Sequence, residues 1–236
     1  RWMLFHARPY AGQAMTDNPI AGAPFWTGVM TALKVVGYYL GLVFWPDRLS
    51  CDYSYNAITL FGWTLSSGQD LDAWIGLAIV LLLAGAAALA WRRRPDVVFA
   101  IGLAAIVFLP TSNLLFPIGT IMAERLMYVP LIGIVAAVAL IVHAGGERLM
   151  AMRPVANPRT WAIGGAAVAI AAVVALGVRT MDRNEDWTSS VRLWSSAVEA
   201  VPSSFKAHES LALAIMEADA SGARVDEAIA LARSAI

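Results

Sequence analysis

The most informative stretch of the chain reads PTSNLLFPIGTIMAERLMYVP, from Pro110 to Pro130, and it lies between two apolar runs. Its three prolines interrupt regular helix, because proline lacks a backbone donor and clashes with the preceding turn. Thr111, Ser112 and Asn113 are residue types that cap helix ends. In hydrocarbon, irregular backbone persists only where protein or a water-filled cavity covers it. The stretch therefore predicts a broken membrane helix beside a sheltered polar site.

Glu124 and Arg125 give this stretch its charge. Ionisable residues are costly in a bilayer and usually face a cavity or a partner, so the pair is a candidate binding site for an anionic group. The alternative is an interfacial loop in which both side chains face water and bind nothing. Composition alone favours neither interpretation.

The composition indicates an integral membrane protein with a smaller polar part. The 236 residues are 59% hydrophobic and 14% charged, whereas soluble domains are about a quarter charged. The net charge is zero, which leaves no electrostatic case for binding nucleic acid. The single cysteine, Cys51, excludes an internal disulfide and a cysteine-based zinc site. The three histidines are scattered along the sequence, so no metal site is predicted: His6, His143 and His208.

Apolar segments of the sequence predict helices that cross a membrane. They are residues 27–45, 73–91, 97–109, 126–142 and 160–178. About 20 helical residues span the roughly 30 Å hydrocarbon core. The run at 97–109 is shorter, so it must continue past Pro110 or tilt in a thinned bilayer.

Lys34 lies near the middle of the first apolar segment. A central lysine costs about 2.5–3.5 kcal/mol on insertion scales. The side chain either turns into the protein, snorkels to the interface or belongs to a helix that lies partly in the interface. We expect snorkelling, and the functional alternative is a cation that binds a lipid phosphate.

The distribution of arginine predicts the orientation in the membrane. Residues 92–96 and 145–159 hold most of the loop arginines, which indicates the cytoplasmic side. The number of crossings then places residues 46–72, 110–128 and 179–236 on the opposite side.

After Arg179 the composition becomes polar, and a helical repeat is predicted. Aromatic, small and proline residues follow the spacing of a tetratricopeptide repeat (TPR) at Trp187, Trp194, Ala197 and Pro202. A second copy covers residues 211–235, with its turn near 218–225. A plain amphipathic hairpin is the simpler alternative.

Two domains are therefore predicted, a membrane domain at 1–181 and repeats at 182–236. Because isolated repeats need neighbours to bury their apolar faces, we expect more repeats after Ile236 and a longer parent protein.

Three segments resemble the transmembrane and tetratricopeptide-repeat O-mannosyltransferase family, which belongs to the C-type glycosyltransferase superfamily. The first is the Pro110–Pro130 stretch, the second is Leu49-Ser-Cys-Asp-Tyr-Ser54 and the third is Arg183-Asn-Glu-Asp-Trp187. Asp17-Asn-Pro19 is a weaker match. The resemblance implies an all-α fold, in which the C-terminal part of a polytopic transmembrane glycosyltransferase bundle precedes TPR-like repeats.

The resemblance also implies an activity. A mannose-type sugar would pass from a polyprenyl-phosphate donor to serine or threonine hydroxyls, with the repeats recruiting the acceptor polypeptide. The repeats would lie on the periplasmic side of a bacterial inner membrane or the luminal side of the endoplasmic reticulum, and the alanine and arginine content favours a bacterial host.

C-type transferases generally need an acidic residue in their first external loop, as a base or a metal ligand. That loop is expected upstream of Arg1, so no catalytic residue is assigned here. The sequence does not decide whether a divalent metal is a cofactor. The segment alone is expected to be inactive.

Polar residues near the predicted site are candidate contacts for the donor: Lys34, Asp52, Ser112, Asn113, Glu124 and Arg125. Arg125, with Lys34, would bind the phosphate, because guanidinium groups match phosphate oxygens. Glu124 would orient Arg125 or hold the sugar. The other three residues have groups that hydrogen-bond sugar hydroxyls.

Two further classes of function stay open on the sequence. The chain could be a non-catalytic, membrane-anchored repeat scaffold, in which the Pro110–Pro130 stretch is only structural. It could also belong to a ligase or polymerase of lipid-linked glycans, which would use a similar phosphate site.

Overall fold

The computed structural model describes residues 16–64, 68–152, 158–219 and 222–234. Within these ranges the secondary structure is helical, without a strand, which confirms the predicted all-α class. The helices are α1 (Phe25–Phe44), α2 (Gly68–Ala90), α3 (Pro95–Phe108), α4 (Tyr128–Met152), α5 (Pro158–Asp186), α6 (Ser190–Ala200), α7 (Phe205–Ala218) and α8 (Val225–Ser234). Some predicted features lie outside the described residues: residues 1–15 with His6, Arg153 and Ala235.

Four helical segments in the described ranges are long and apolar enough to cross a membrane. They are Phe25–Phe44, Asp70–Ala90, Glu124–Arg148 and Ala162–Asp186. The predicted span at 97–109 corresponds to the shorter apolar segment Pro95–Thr111. Its α-helical part has 14 residues, about 21 Å at 1.5 Å per residue. The crossing of this segment stays a prediction.

Helices α1 and α2 pack as an antiparallel pair. Leu33 of α1 lies against Gly76 of α2, and Tyr38, further along α1, donates a hydrogen bond to Asp72, earlier in α2 (2.9 Å). A Cβ atom on Gly76 would lie 2.1 Å from the carbonyl oxygen of Leu33. The two backbones approach this closely because glycine has no side chain, as is common between membrane helices.

Helices α3 and α4 form a second antiparallel pair. A Cβ atom on Gly133 of α4 would lie 2.6 Å from the carbonyl oxygen of Ala100 in α3. At the other end of the contact, the Arg94 side chain before α3 donates to the carbonyl of Leu140 (3.2 Å). Small residues therefore set the distance between helices in both pairs.

The main buried core lies where the loops cover α1. Its buried members come from α1, from the connections before and after it, and from the connection between α3 and α4: Ile20, Ala32, Val35, Tyr39, Tyr53, Ile58, Ile121, Met122 and Met127. The ring of Phe108, at the end of α3, meets the ring of Tyr39 edge to face, with centroids 5.2 Å apart. The loops at 45–64 and 109–127 are thus parts of one packed unit, which we call the loop face.

Helix α5 makes few contacts with the rest of the described protein. No residue in its apolar 18-residue window is buried. Its C-terminal end is held, because the Arg179 guanidinium donates to the carbonyls of Pro46 (3.3 Å) and Asp47. The helix continues to Asp186, five residues past the predicted domain boundary at 181/182, and that boundary stays a prediction.

Helices α6, α7 and α8 share a small apolar core. Leu211, Ala212 and Ile215 of α7 are buried with Ala228 of α8, and Trp194 of α6 packs against them. Serines cap two of these helices, with Ser189 accepting from the Arg192 amide (3.2 Å) and Ser204 accepting from the Ala207 amide (3.3 Å). The helices have the arrangement that a TPR needs, and their assignment as a TPR stays a prediction.

Candidate functional site

The Pro110–Pro130 stretch is irregular, as predicted, and Asn113 holds it together. Asn113 is 1% exposed and its backbone has a φ of 60°. Its Oδ1 accepts from the Asn18 side chain (2.8 Å) and from the Ile118 amide (2.9 Å). Its Nδ2 donates to the carbonyls of Thr120 (3.2 Å) and Ile121 (2.9 Å). All four bonds are internal, and the predicted contact of Asn113 with sugar hydroxyls stays a prediction.

Ser112 also has a structural role, and its predicted sugar contact stays a prediction. It is 1% exposed. Its hydroxyl donates to the carbonyl of Leu109 (2.8 Å) and accepts from the Leu114 amide (3.2 Å). These bonds help to hold the backbone at the break after α3.

Glu124 joins the two loops of the loop face. Its Oε1 accepts from the Tyr53 hydroxyl (2.7 Å) and from the Ser50 amide (2.8 Å). Burial and the neighbouring Glu124 carboxylate raise the pKa of Tyr53, so this hydroxyl stays a donor at neutral pH. Glu124 was predicted to orient Arg125, and the structure instead directs it to the loop that contains Asp52.

Arg125 follows Glu124 in a short 3₁₀ turn, Glu124–Met127, which leads directly into α4. On the N-terminal side, the Tyr39 hydroxyl accepts from the Ala123 amide (2.8 Å) and donates to the Ala123 carbonyl (3.0 Å). The side chain of Arg125 is exposed and makes no hydrogen bond or ion pair with the described residues. The backbone of Arg125 is thus held in place, and the N–H donors of its guanidinium are available to a ligand.

Asp52 connects the loop face to the helical tail. Its carboxylate accepts from the amide and the hydroxyl of Ser54 (both 2.9 Å) and lies 3.6 Å from Nζ of Lys206 in α7. Lys206 also donates to Asp17 (3.0 Å). Asp52 thus has a structural role, and its predicted contact with sugar hydroxyls stays a prediction.

Backbone hydrogen bonds add to this connection. The Phe205 amide donates to the Tyr55 carbonyl (2.7 Å), and the Asn56 amide donates to the Ser203 carbonyl (3.2 Å). The start of α7 thus pairs directly with the loop that follows α1. The tail is docked on the loop face by backbone bonds and by the Lys206 ion pairs together.

The charge of Lys206 persists at neutral pH. Burial lowers the pKa of Lys206, but the hydrogen bond with Asp17 and the charge of Asp52 outweigh burial, so the pKa is raised. A raised folded-state pKa stabilises the folded state fully below the unfolded value, and that contribution is lost as pH rises through the folded value. The ion pairs of Lys206 therefore contribute at neutral pH and weaken only in strongly alkaline solution.

We expect Lys206→Gln to loosen the docking of the tail without unfolding it. The ion pairs are partly exposed, so exchange of the Phe205 and Asn56 amides should rise by up to about fivefold. Hydrogen exchange with mass spectrometry measures this. Arg192→Gln removes another exposed ion pair, with Glu185, and should leave both amides unchanged. Equal exchange in the two variants would contradict this role for Lys206.

Lys34 turns into the protein, which corrects the snorkelling expected from the sequence. It is 2% exposed. Its ammonium donates to the hydroxyl (3.0 Å) and the carbonyl (3.4 Å) of Thr59, in the loop that leads to α2. In this position the ammonium is bonded within the protein, and its predicted contact with a lipid phosphate stays a prediction.

The Arg183-Asn-Glu-Asp-Trp187 segment lies at the junction of α5 and α6. Arg183 donates to Asp186 (2.5 Å) and to the hydroxyl of Ser196 in α6 (2.9 Å). Its side chain is 12% exposed. This arginine therefore fixes the angle between the last long apolar helix and the tail.

Cys51 is part of the loop face, and its environment makes it unreactive. Burial, with a smaller contribution from the charge of Asp52, raises the pKa of the Cys51 thiol to about 11. The nucleophilic thiolate is therefore scarce at neutral pH. Among residues 16–64, 68–152, 158–219 and 222–234, no group of three histidine, cysteine or acidic side chains is placed to hold a metal ion.

Two further residues that organise the site, Asn18 and Asp70, were not predicted from the sequence. Asn18 is 1% exposed and donates to Asn113 (2.8 Å) and to the Ile118 carbonyl (2.8 Å). Asp70 is 2% exposed and accepts from the amides of Gly62 (2.9 Å) and Thr64 (2.7 Å). The sequence signals for these residues were the Asn18-Pro19 step and an acid, Asp70, at the start of α2. Neither signal indicates which group the side chain bonds to.

Comparisons with known proteins agree with the resemblance. The chain is 30% identical to mouse protein O-mannosyl-transferase TMTC3 over 78% of this chain and 19% of that protein. It is 30% identical to mouse protein O-mannosyl-transferase TMTC1 over 88% of this chain and 21% of that protein. It is 26% identical to mouse protein O-mannosyl-transferase TMTC4 over 88% of this chain and 27% of that protein.

The chain thus spans only about a fifth to a quarter of the length of these relatives. No family model matches the chain, and no solved structure matches it significantly. Each of these alignments covers most of this chain, and all three relatives are named protein O-mannosyl-transferase. The chain is therefore similar, over most of its length, to part of the TMTC proteins, which are named protein O-mannosyl-transferases.

Proposed function

We propose that the chain is part of a membrane glycosyltransferase that transfers a mannose-type sugar from a polyprenyl-phosphate donor to serine or threonine hydroxyls of a protein. The names of the relatives support the reaction class and the kind of acceptor. The arginine-rich loops support a site on the non-cytoplasmic side, periplasmic or luminal. In this proposal the chain supplies a contact for the donor phosphate and a surface for the acceptor.

Arg125 is the observation that carries the proposal. Of the six residues predicted to contact the donor, the other five form hydrogen bonds within the protein. The Arg125 guanidinium keeps its donors available, and its backbone is held between Glu124 and the start of α4. A planar guanidinium can bind two phosphate oxygens at once. A fixed backbone reduces the entropy that is lost when such a ligand binds.

The docked tail gives the proposal its second component. The tail is joined to the same loop face, through Lys206 and through the backbone of Tyr55 and Phe205. A polypeptide bound to the repeats would then be held close to the loop that carries Asp52 and, through Glu124, close to Arg125. We propose that this arrangement raises the effective concentration of acceptor hydroxyls at the donor.

Substitution of Arg125 in the full-length protein tests the proposal. We expect Arg125→Ala to lower sugar transfer by about a hundredfold, since a charge-assisted hydrogen bond to phosphate is lost. Arg125→Lys keeps the charge and loses the planar fork, so we expect about a tenfold loss. Transfer from labelled polyprenyl-phosphate mannose to an acceptor protein in membranes measures both values.

Arg192→Ala is the matched control, because it removes an exposed arginine from the tail without touching the loop face. Full transfer by Arg125→Ala, with normal membrane insertion, would reject the phosphate role and favour the scaffold alternative. Product analysis separates the remaining class, since a ligase would move whole glycans rather than one sugar.

A further inference from the structure

A cavity lies between α2, α3 and α4, at the ends of these helices that point away from the loop face. Its volume is about 390 Å³. Its lining is mostly apolar and includes Leu83, Ile101, Ile141 and Ala144. Arg94 and Arg148 are the charged residues of the lining, and we call the part of the cavity beside them its mouth. The cavity therefore combines an apolar lining with two arginines.

The two arginines differ in their availability. Arg94 donates twice to Asp96 (3.1 and 2.7 Å) and once to the Leu140 carbonyl (3.2 Å), so it is fixed and its charge is compensated. Arg148 is exposed and makes no hydrogen bond or ion pair with the described residues. Its neighbour Glu147 is paired instead with His143, at 3.4 Å.

Charge at this end is positive overall. Arg92 and Arg93, in the turn between α2 and α3, add two more guanidinium groups beside the cavity. The acids near the mouth are Asp96 and Glu147, so four arginines face two carboxylates. An anionic group would be attracted to this end, and Arg148 is the side chain placed to bind it directly.

We propose that this cavity binds an anionic glycerophospholipid, with its phosphate on Arg148 and one acyl chain along the wall from Ala90 to Leu83. These residues are seven positions apart on α2, about 10 Å along the helix axis, which accommodates the upper half of an acyl chain. Basic pockets between membrane helices on the cytoplasmic side are typical sites for anionic headgroups.

A lipid fits this cavity better than a soluble anion does. The walls belong to segments long and apolar enough to cross a membrane, or to the apolar helix α3, so hydrocarbon chains are the abundant neighbours. A soluble phosphate would satisfy Arg148 and leave the apolar part of the cavity unfilled. A neutral lipid would fill the apolar part and leave the guanidinium without its anion.

Lipid binding to the detergent-purified, full-length protein tests the proposal. The protein is titrated with phosphatidylglycerol or phosphatidylcholine, and bound lipids are counted by native mass spectrometry. We expect preferential binding of phosphatidylglycerol, lowered about fivefold by Arg148→Gln. Arg159→Gln removes an arginine from the same predicted cytoplasmic side but outside the cavity. This variant should bind as much phosphatidylglycerol as the unsubstituted protein does.

Ala144→Phe tests the acyl-chain part separately, because it adds a large side chain to the lining of the cavity without changing charge. We expect it to lower phosphatidylglycerol binding as well, with transfer activity unchanged. Equal binding of both lipids, or equal binding by Arg148→Gln and Arg159→Gln, would overturn the proposal. Unchanged binding by Ala144→Phe would mean that another part of the protein fills the cavity, and would overturn it too.

Discussion

Gly76→Ala is expected to lower the thermal unfolding midpoint of the membrane domain by about 6–12 °C, which corresponds to about 3 kcal/mol for a domain of this size. The new methyl group would lie 2.1 Å from the carbonyl oxygen and 2.8 Å from the carbonyl carbon of Leu33. Both atoms belong to helical backbone, so they cannot rotate away as a side chain would. The α1 and α2 helices must separate, and the close contact between them is lost.

Gly85→Ala is the matched control on the same helix. A Cβ atom on Gly85 has no neighbour within 4 Å. Alanine gains up to about 1 kcal/mol over glycine in a helix interior, so we expect an unchanged or slightly raised midpoint. Both variants gain the same helix propensity, and their difference isolates the clash with Leu33. Equal midpoints measured by scanning fluorimetry in detergent would show that α1 and α2 are not packed as described.

The same comparison can be made on the α3 and α4 pair with Gly133→Ala and its control, Gly102→Ala. A Cβ atom on Gly133 would lie 2.6 Å from the Ala100 carbonyl oxygen, whereas one on Gly102 has no neighbour within 4 Å. Destabilisation by Gly133→Ala but not by Gly102→Ala would extend the conclusion to α3 and α4. The helix pairs would then depend on a few glycines, in agreement with the role of small residues in lipid.

The helices were the predictable part of this fold. A run of uncharged residues about 20 long has few alternatives in a bilayer, because each backbone donor and acceptor must be paired within its own segment. The predicted segment at 73–91 lies almost entirely within α2, and the one at 160–178 lies within α5. The ends were less predictable, since α5 continues through charged residues to Asp186.

The roles of the polar residues were less predictable, because they depend on partners far away in the sequence. Asn113 was identified as a polar residue at a break, but its role depends on Asn18, 95 positions earlier. Lys34 was identified as a costly cation, but its ammonium donates a hydrogen bond to Thr59, 25 positions later. Residue type predicts which groups need a partner, and only the tertiary fold decides whether that partner is a ligand or the protein.

Arg125 differs from those residues, because its side chain makes no hydrogen bond or ion pair with the described residues. The sequence predicted that Glu124 would orient Arg125 or hold the sugar. The structure assigns the carboxylate to Ser50 and Tyr53 and leaves the guanidinium exposed.

Asn113→Ala is expected to destabilise the membrane domain more than any other polar substitution in the loop face. Two groups would lose their hydrogen-bond partner among the described residues, the Ile118 amide and the Ile121 carbonyl. Each buried unpaired group costs about 1–3 kcal/mol. Thr120 and Asn18 still bond to each other (3.2 Å), which limits the loss. We expect a destabilisation of about 4 kcal/mol from the hydrogen bonds alone.

The backbone conformation adds a second cost, and Asn113→Gly separates the two. At a φ of 60°, alanine costs about 1–2 kcal/mol more than glycine, whereas asparagine tolerates this region. Both variants lose the amide, so Asn113→Gly should unfold about 2–8 °C above Asn113→Ala and well below the unsubstituted protein. Asn184→Ala, at an exposed position on α5, should leave the midpoint unchanged. If Asn113→Gly were as stable as the unsubstituted protein, the four side-chain bonds would contribute nothing. The carboxamide would then be free to contact a ligand, as the sequence first suggested.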